Sequence, residues 1–259
     1  MRILSIFLIT LIPATFTYAQ FTKAIEDNSF VIEEAYNQEE GVVQHIFACS
    51  KNPYDDFFEI DFTQELPLSG QTHQLSYTLP FFVPSNPDDN AGMGDMLLSY
   101  RYQLINENGL AIAPRFSLVL PSGDNGYGND VFGIQLNFPL SRRWNNEFVT
   151  HFNAGLTFLP NVKPTVSVLS TDVIATKKNI ITYSAGASGI FLASPRFNVM
   201  AEALYSSKNG SDEIILSPGI RYAINIGSLQ IVPGLAFPFY FVASRNTETG
   251  FFLYLSFEQ

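Results

Sequence analysis

The chain has 259 residues, of which 46% are hydrophobic and 14% aromatic but only 15% charged, and its 14 Lys+Arg against 24 Asp+Glu leave a formal charge of −10. A net acidic chain lacks the basic surface that nucleic acid demands, which excludes that class of partner. Soluble domains carry about 25% charged residues, so this balance points to a chain that hides apolar surface somewhere other than a water-excluded core.

The first residues read as an export signal. Met1 and Arg2 give a positive start, residues 4–11 an apolar run, and Thr17-Tyr18-Ala19 a small-residue cleavage site, so residues 1–19 are expected to be removed before Gln20. Lipid anchoring would need a cysteine just after that point, and the only cysteine, Cys49, lies far downstream. One cysteine also forms no intrachain disulfide, so packing and hydrogen bonds must hold the chain.

Residues 20–40 form an acidic segment without hydrophobic periodicity. Two readings stay open: a plug folded into a lumen, carried by Glu33, Glu34, Tyr36, Asn37 and Gln38, or a periplasmic tail leading into the first strand.

Residues 41–259 carry a period of two. The longest run there without a strongly polar residue, 231–243, contains Pro233 and Pro238, while a membrane helix needs about 20 apolar residues. A closed barrel is the remaining way to satisfy every backbone group in lipid. In residues 94–106, Met96, Leu98, Tyr100, Tyr102 and Leu104 share one face and Ser99, Arg101 and Gln103 the other. The same alternation recurs at 41–49, 58–66, 75–81, 110–120, 132–140, 148–158, 181–191, 197–205, 214–224, 229–241 and 251–257. The expected fold is all-β, an antiparallel transmembrane β-barrel of about twelve strands, with ten to fourteen compatible with the pattern.

Charge supports this reading. Asp, Glu, Lys and Arg are missing from the apolar faces of these segments, and Glu59, Asp61, Glu65, Arg101, Arg115, Glu202 and Arg221 fall on the inward faces. An outward Arg or Lys at mid-membrane costs about 2–4 kcal/mol, whereas a soluble sandwich would carry its charges outside. Short turns at 69–70, 106–108, 141–145, 194–195 and 225–227 alternate with longer connections at 84–92, 121–129, 160–178, 206–211 and 243–249, which predicts periplasmic termini. Trp144, Phe148 and the pairs Phe81-Phe82 and Phe251-Phe252 suit aromatic girdles. Against the pattern, Pro114, Pro139, Pro218, Pro233 and Pro238 fall inside expected strands, where each removes a ladder hydrogen bond.

The stretch 33–45, together with Phe116-Ser117-Leu118-Val119-Leu120-Pro121-Ser122-Gly123-Asp124, resembles the bacterial outer-membrane family of phenol-degradation meta-pathway transporters. The resemblance covers most of the mature chain and implies passage of aromatic or other hydrophobic compounds. The alternation of Phe251, Leu253, Leu255 and Phe257 is similar to the C-terminal signal of outer-membrane barrels, except that the chain ends in Gln259. Outer-membrane lipid and the barrel assembly machinery are the partners this implies, beside an unidentified small solute.

The candidate lumen residues are Glu59, Asp61, Glu65, Arg101, Arg115, His151, Glu202 and Arg221. They read either as a selectivity ladder or as charges paired for stability, with Arg101 within reach of Glu59, Asp61 and Glu65. No catalytic residue is assigned: His151 has no serine two positions on, and a nucleophile would have to come from another strand. His45, His73 and His151 lack metal-ligand spacing, the acidic loops at Asp88-Asp89 and 124–130 earn no metal assignment, and no cofactor is expected. The leading expectation is a channel or facilitator for small hydrophobic or aromatic molecules; a structural or adhesive barrel acting through its loops, and an outer-membrane hydrolase, are the alternatives.

Overall fold

The alternating segments become strands of one sheet closed on itself. The computed structural model describes residues 30–163, 177–243 and 245–259. Twelve membrane strands follow in order: β1 (Gln44–Lys51), β2 (Phe57–Ser69), β3 (His73–Pro84), β4 (Gly92–Met93, Leu97–Tyr102 and Ile105–Glu107), β5 (Leu110–Ile112 and Arg115–Val119) and β6 (Gly133–Asn137 and Leu140–Arg143). The second half is β7 (Phe148–Val162), β8 (Lys178–Ser194), β9 (Phe197–Lys208), β10 (Ser211–Tyr222 and Ile224–Ile226), β11 (Leu229–Ala236 and Phe239–Val242) and β12 (Glu248–Thr249 and Phe251–Glu258). Each strand pairs antiparallel with the next, and β1 closes on β12 from Gln44 opposite Glu258 to Lys51 opposite Phe251. Closure leaves no sheet edge to satisfy, which is what lipid requires.

The wall is inverted relative to a soluble protein. Phe47, Leu98, Phe116, Phe152, Leu216 and Leu253 are exposed outward, while Gln74, Ser117, His151, Asn198, Arg101 and Arg221 are buried inside. The strands run longer than the alternation suggests, and this brings charges, Lys51, Glu107, Arg142 and Asp212 among them, onto outward positions at the strand ends. Asp212 accepts a hydrogen bond from the Tyr205 hydroxyl at one end, and Arg142 stacks over Trp144 at the other. Both sit where a long or hydrogen-bonded polar group can reach water.

The connection expected at 206–211 is not long. β9 runs to Lys208 and β10 starts at Ser211, leaving Asn209-Gly210 with φ of 50° and 84°. Positive φ at both central residues is the geometry that matches strand twist in a two-residue hairpin, and Asn-Gly supplies it. Asn108-Gly109 does the same between β4 and β5. Residues 164–176 of the expected long connection 160–178, the whole signal 1–19 and residues 20–29 lie outside the described residues.

The strand prolines fall into two kinds. Pro114, Pro139 and Pro238 stand at the interruptions of β5, β6 and β11. Pro218 and Pro233 continue their strands opposite Ala201 and Leu255. Interrupted or not, the proline carbonyls still accept: Tyr102 N–H bonds to Pro114 O, Ala113 to Pro139, Gly250 to Pro238 and Phe237 to Pro218. Only the missing N–H is lost, so the ladder bends without opening.

Candidate functional site

Residues 30–43 lie inside the barrel and cross it from the β9 wall to the β3 wall. An extended segment there has no strand partner, so its backbone groups must be satisfied by inward side chains. Glu202 Oε1 accepts from the amides of Phe30, Val31 and Ile32 at 3.0, 3.0 and 3.1 Å. Asn153 Oδ1 accepts from Glu33 N–H, Ser141 Oγ from Ala35, Gln103 Oε1 from Asn37 and Gln74 Oε1 from Gln38, at 2.7, 2.8, 2.9 and 2.7 Å. The segment then turns at Gly41 (φ 81°), and Val43 exchanges backbone hydrogen bonds with Gln259 beside β12.

Arg101 is the hub. Its Nη1 lies 3.1 Å from Glu33 Oε1 and 3.3 Å from Glu34 Oε1, its Nη2 3.5 Å from Glu65 Oε2. Its Nε donates to Asn37 Oδ1 and its Nη2 to Tyr36 O, at 2.9 and 2.7 Å. Arg115 Nη2 lies 3.2 Å from Glu33 Oε2. The guanidinium fork spreads over several acceptors at once, which an ammonium could not do. Gln38 joins the same network through Glu65, whose Oε2 accepts from its Nε2 at 3.5 Å, and it also donates to Gln44 at 2.8 Å.

The first residues of the segment dock differently. Phe30 packs against two apolar clusters of the inner wall, Val149, Ile190, Leu192 and Met200 on one side and Ala223, Val232 and Tyr254 on the other. Its ring centroid is 5.4 Å from Phe252 and 6.1 Å from Tyr254. Glycines make the room: a Cβ on Gly219 or Gly234 would fall 2.3 or 2.7 Å from the Phe30 ring, and one on Gly186 2.3 Å from Ile32.

Of the residues singled out in the sequence, Glu65, Arg101, Arg115, Glu33, Glu34, Tyr36, Asn37 and Gln38 converge on this network. Glu202 holds the segment's other end. Glu59 and Asp61 are a correction: the face they share with Glu65 runs along β2 away from Arg101, and of the three only Glu65 pairs with it. Instead Asp55, Glu59, Asp61 and Glu213 lie near enough to act on one another's charge, toward the longer loops. Burial pushes the Asp55 carboxyl up, against the opposing pull of Lys51 and Lys208. Arg221 lies 5.5 Å over the Tyr254 ring.

His151 does meet a serine from another strand, with Nδ1 2.6 Å from Ser141 Oγ. Both residues are fully buried, the serine oxygen is taken by Ala35 N–H, and Tyr36 stands edge-on to the imidazole at 6.2 Å. With the segment in place, the pair grips it through Ala35. Gln74, Gln103, Asn137, Ser141 and Asn153 were not singled out in the sequence; their inward place in the alternation was the available signal. Nothing in the pattern marked Phe30 or its glycines.

On the long-loop side of the segment lies a cavity of about 400 Å³. Phe30, Phe252, Tyr254 and Leu204 line one part, and Asp61, Arg115, Gln135, Asn153 and Thr157 another. Above it, Asp95 accepts from Gly123 N–H and from Asn129 N–H and Nδ2 at 3.1, 2.7 and 3.0 Å, pinning the 121–130 loop to the rim. Among the described residues no group of His, Cys, Asp or Glu is placed to hold a metal ion.

The fold has counterparts among solved structures. The COG4313 outer membrane channel from Pseudomonas putida F1 matches with a TM-score of 0.56 and 13% identity, covering 84% of this chain and 93% of that one. The NanC porin matches at 0.54 and 8%, covering 83% and 98%, and the KdgM porin at 0.52 and 11%, covering 82% and 97%. These likenesses show the fold, a closed antiparallel β-barrel shared with those outer-membrane channels. No curated protein matches the sequence. The family model described as "Putative MetA-pathway of phenol degradation" matches residues 56–257, and the chain belongs to that family.

Proposed function

We propose that the protein is an outer-membrane channel for small hydrophobic or aromatic solutes, closed at rest by its own residues 30–43 and oriented with both ends of the barrel chain in the periplasm. The observation that carries this reading is the way the segment is held. From Phe30 to Gln38 its contacts with the wall are side-chain hydrogen bonds, ion pairs and the packing of Phe30 rather than a strand ladder, and the backbone exchange with the wall comes at Val43, so the part before Val43 can leave without unpairing any strand. The cavity above it joins apolar and polar lining, the usual composition of a small-molecule site. For orientation, the turns beside Val43 and Gln259 are short and the connections at the opposite end include the 85–91 and 120–132 loops, the asymmetry of outer-membrane barrels.

Planar-bilayer recording tests the reading. The full chain is expected to show rare openings and a chain lacking residues 20–40 discrete, sustained conductance; silence from both sinks the channel. An epitope in the 120–132 loop should stain on intact cells and one at the C-terminus only after permeabilisation.

A further inference from the structure

Phe30 is an aromatic ring bound inside the barrel, and what surrounds it is more specific than an apolar wall. Gly219 on β10 and Gly234 on β11 leave the ring a slot that a single methyl on either would fill. Phe252 and Tyr254 meet it tilted and edge-on, at 55° and 74°, the offset arrangements that ring quadrupoles favour. Phe30, Phe252 and Tyr254 also border the cavity, so the slot communicates with the space a solute would occupy. Behind the ring, Glu202 Oε1 accepts from the backbone amides of Phe30, Val31 and Ile32.

Resting on the channel reading, we propose that the slot formed by Gly219, Gly234, Phe252 and Tyr254 is a binding site for a planar six-membered aromatic ring, that Phe30 is its tethered occupant, and that a free ring competes with Phe30 and so loosens the segment. The ligand chemistry is a single neutral ring. Charges of both signs stand nearby, Asp61 and Glu202 against Arg115 and Arg221, so the slot presents no excess positive charge to pair with an aromatic carboxylate.

Calorimetric titration of benzyl alcohol into the full chain in detergent micelles, with empty micelles subtracted, reads the site. Phe30→Ala removes the competitor and leaves the slot, so its affinity should rise about tenfold, as for any binding-competent state relieved of a competing one. Cyclohexylmethanol, apolar but puckered, should bind that variant about fivefold more weakly. Gly219→Val added to Phe30→Ala should abolish binding, and Gly234→Ala, which blocks the slot from the neighbouring strand, should do so too. Heat-modifiable migration on gels shows that each variant keeps its closed barrel. Unchanged affinity in Phe30→Ala, equal binding of the two alcohols, or binding that survives both glycine substitutions overturns the proposal. Ring binding with no conductance from any variant removes the channel reading and leaves the slot standing; conductance with no ring binding does the reverse.

Discussion

Arg101 Nη1 stands 3.1 Å from Glu33 Oε1, joining a side chain of the barrel wall to the segment that crosses the lumen. The same guanidinium reaches Glu34 and Glu65, so one wall residue neutralises carboxylates from both partners. Removing one member of a buried ion pair costs about 3–5 kcal/mol because the rest is left uncompensated. Arg101→Ala should therefore release the segment, raise open probability in bilayers, and leave the barrel folded on gels. An unchanged open probability would show that the network does not hold the segment.

Glu202 acts at the other end. A hydrogen bond to a charged group contributes about 1.5–3 kcal/mol, and Glu202 Oε1 receives three backbone donors. Glu202→Ala should free residues 30–32 and expose them to protease, while Glu202→Gln, which keeps one acceptor oxygen, should give a smaller effect. Equal protection in all three proteins would assign the hold to Phe30 alone.

Asp55, Glu59, Asp61 and Glu213 put negative charge on the long-loop side of the lumen, and such a field favours cations. With residues 20–40 deleted, reversal potentials in a salt gradient should show cation preference, reduced in Glu59→Gln/Asp61→Asn. Burial raises the Asp55 carboxyl, so its charge is lost as pH falls through a range above that of an ordinary aspartate, and the preference should weaken on acidification. A preference that grows on acidification contradicts this assignment.

The Ser141–His151 contact supports the segment, with both side chains buried against it. Ser141→Ala should raise channel opening and leave ester hydrolysis at the level of the buffer. Hydrolysis that survives purification and vanishes in His151→Ala would reverse the assignment.

Leu216 is exposed on the outward face of β10. Leu216→Arg should cost about 2–4 kcal/mol in vesicles, measured by denaturant unfolding, as expected for a charge near mid-membrane. A cost near zero would place this face against water.

The barrel was legible in residue order because lipid enforces one rule at every position. Outward side chains must be apolar, so Leu98, Tyr100 and Tyr102 on one face and Ser99 and Arg101 on the other declare the strand and its direction without reference to any partner. Turn chemistry was legible too, though Asn209-Gly210 was absorbed into a longer loop because polar residues at strand ends break the alternation. The prolines could not be sorted, since whether a missing N–H matters depends on which neighbouring carbonyl faces it.

The interior belongs to tertiary structure. Glu33 and Arg101 are 68 residues apart, Phe30 and Glu202 172, and no local pattern ties them. Inside a closed wall every inward position faces many others, so alternation tells which residues enter the lumen but not which meet. Closure brought Glu65, Arg101 and Arg115 onto the acidic segment and left Glu59 and Asp61 apart from it. It also turned three glycines, silent in the sequence, into the space that receives Phe30 and Ile32.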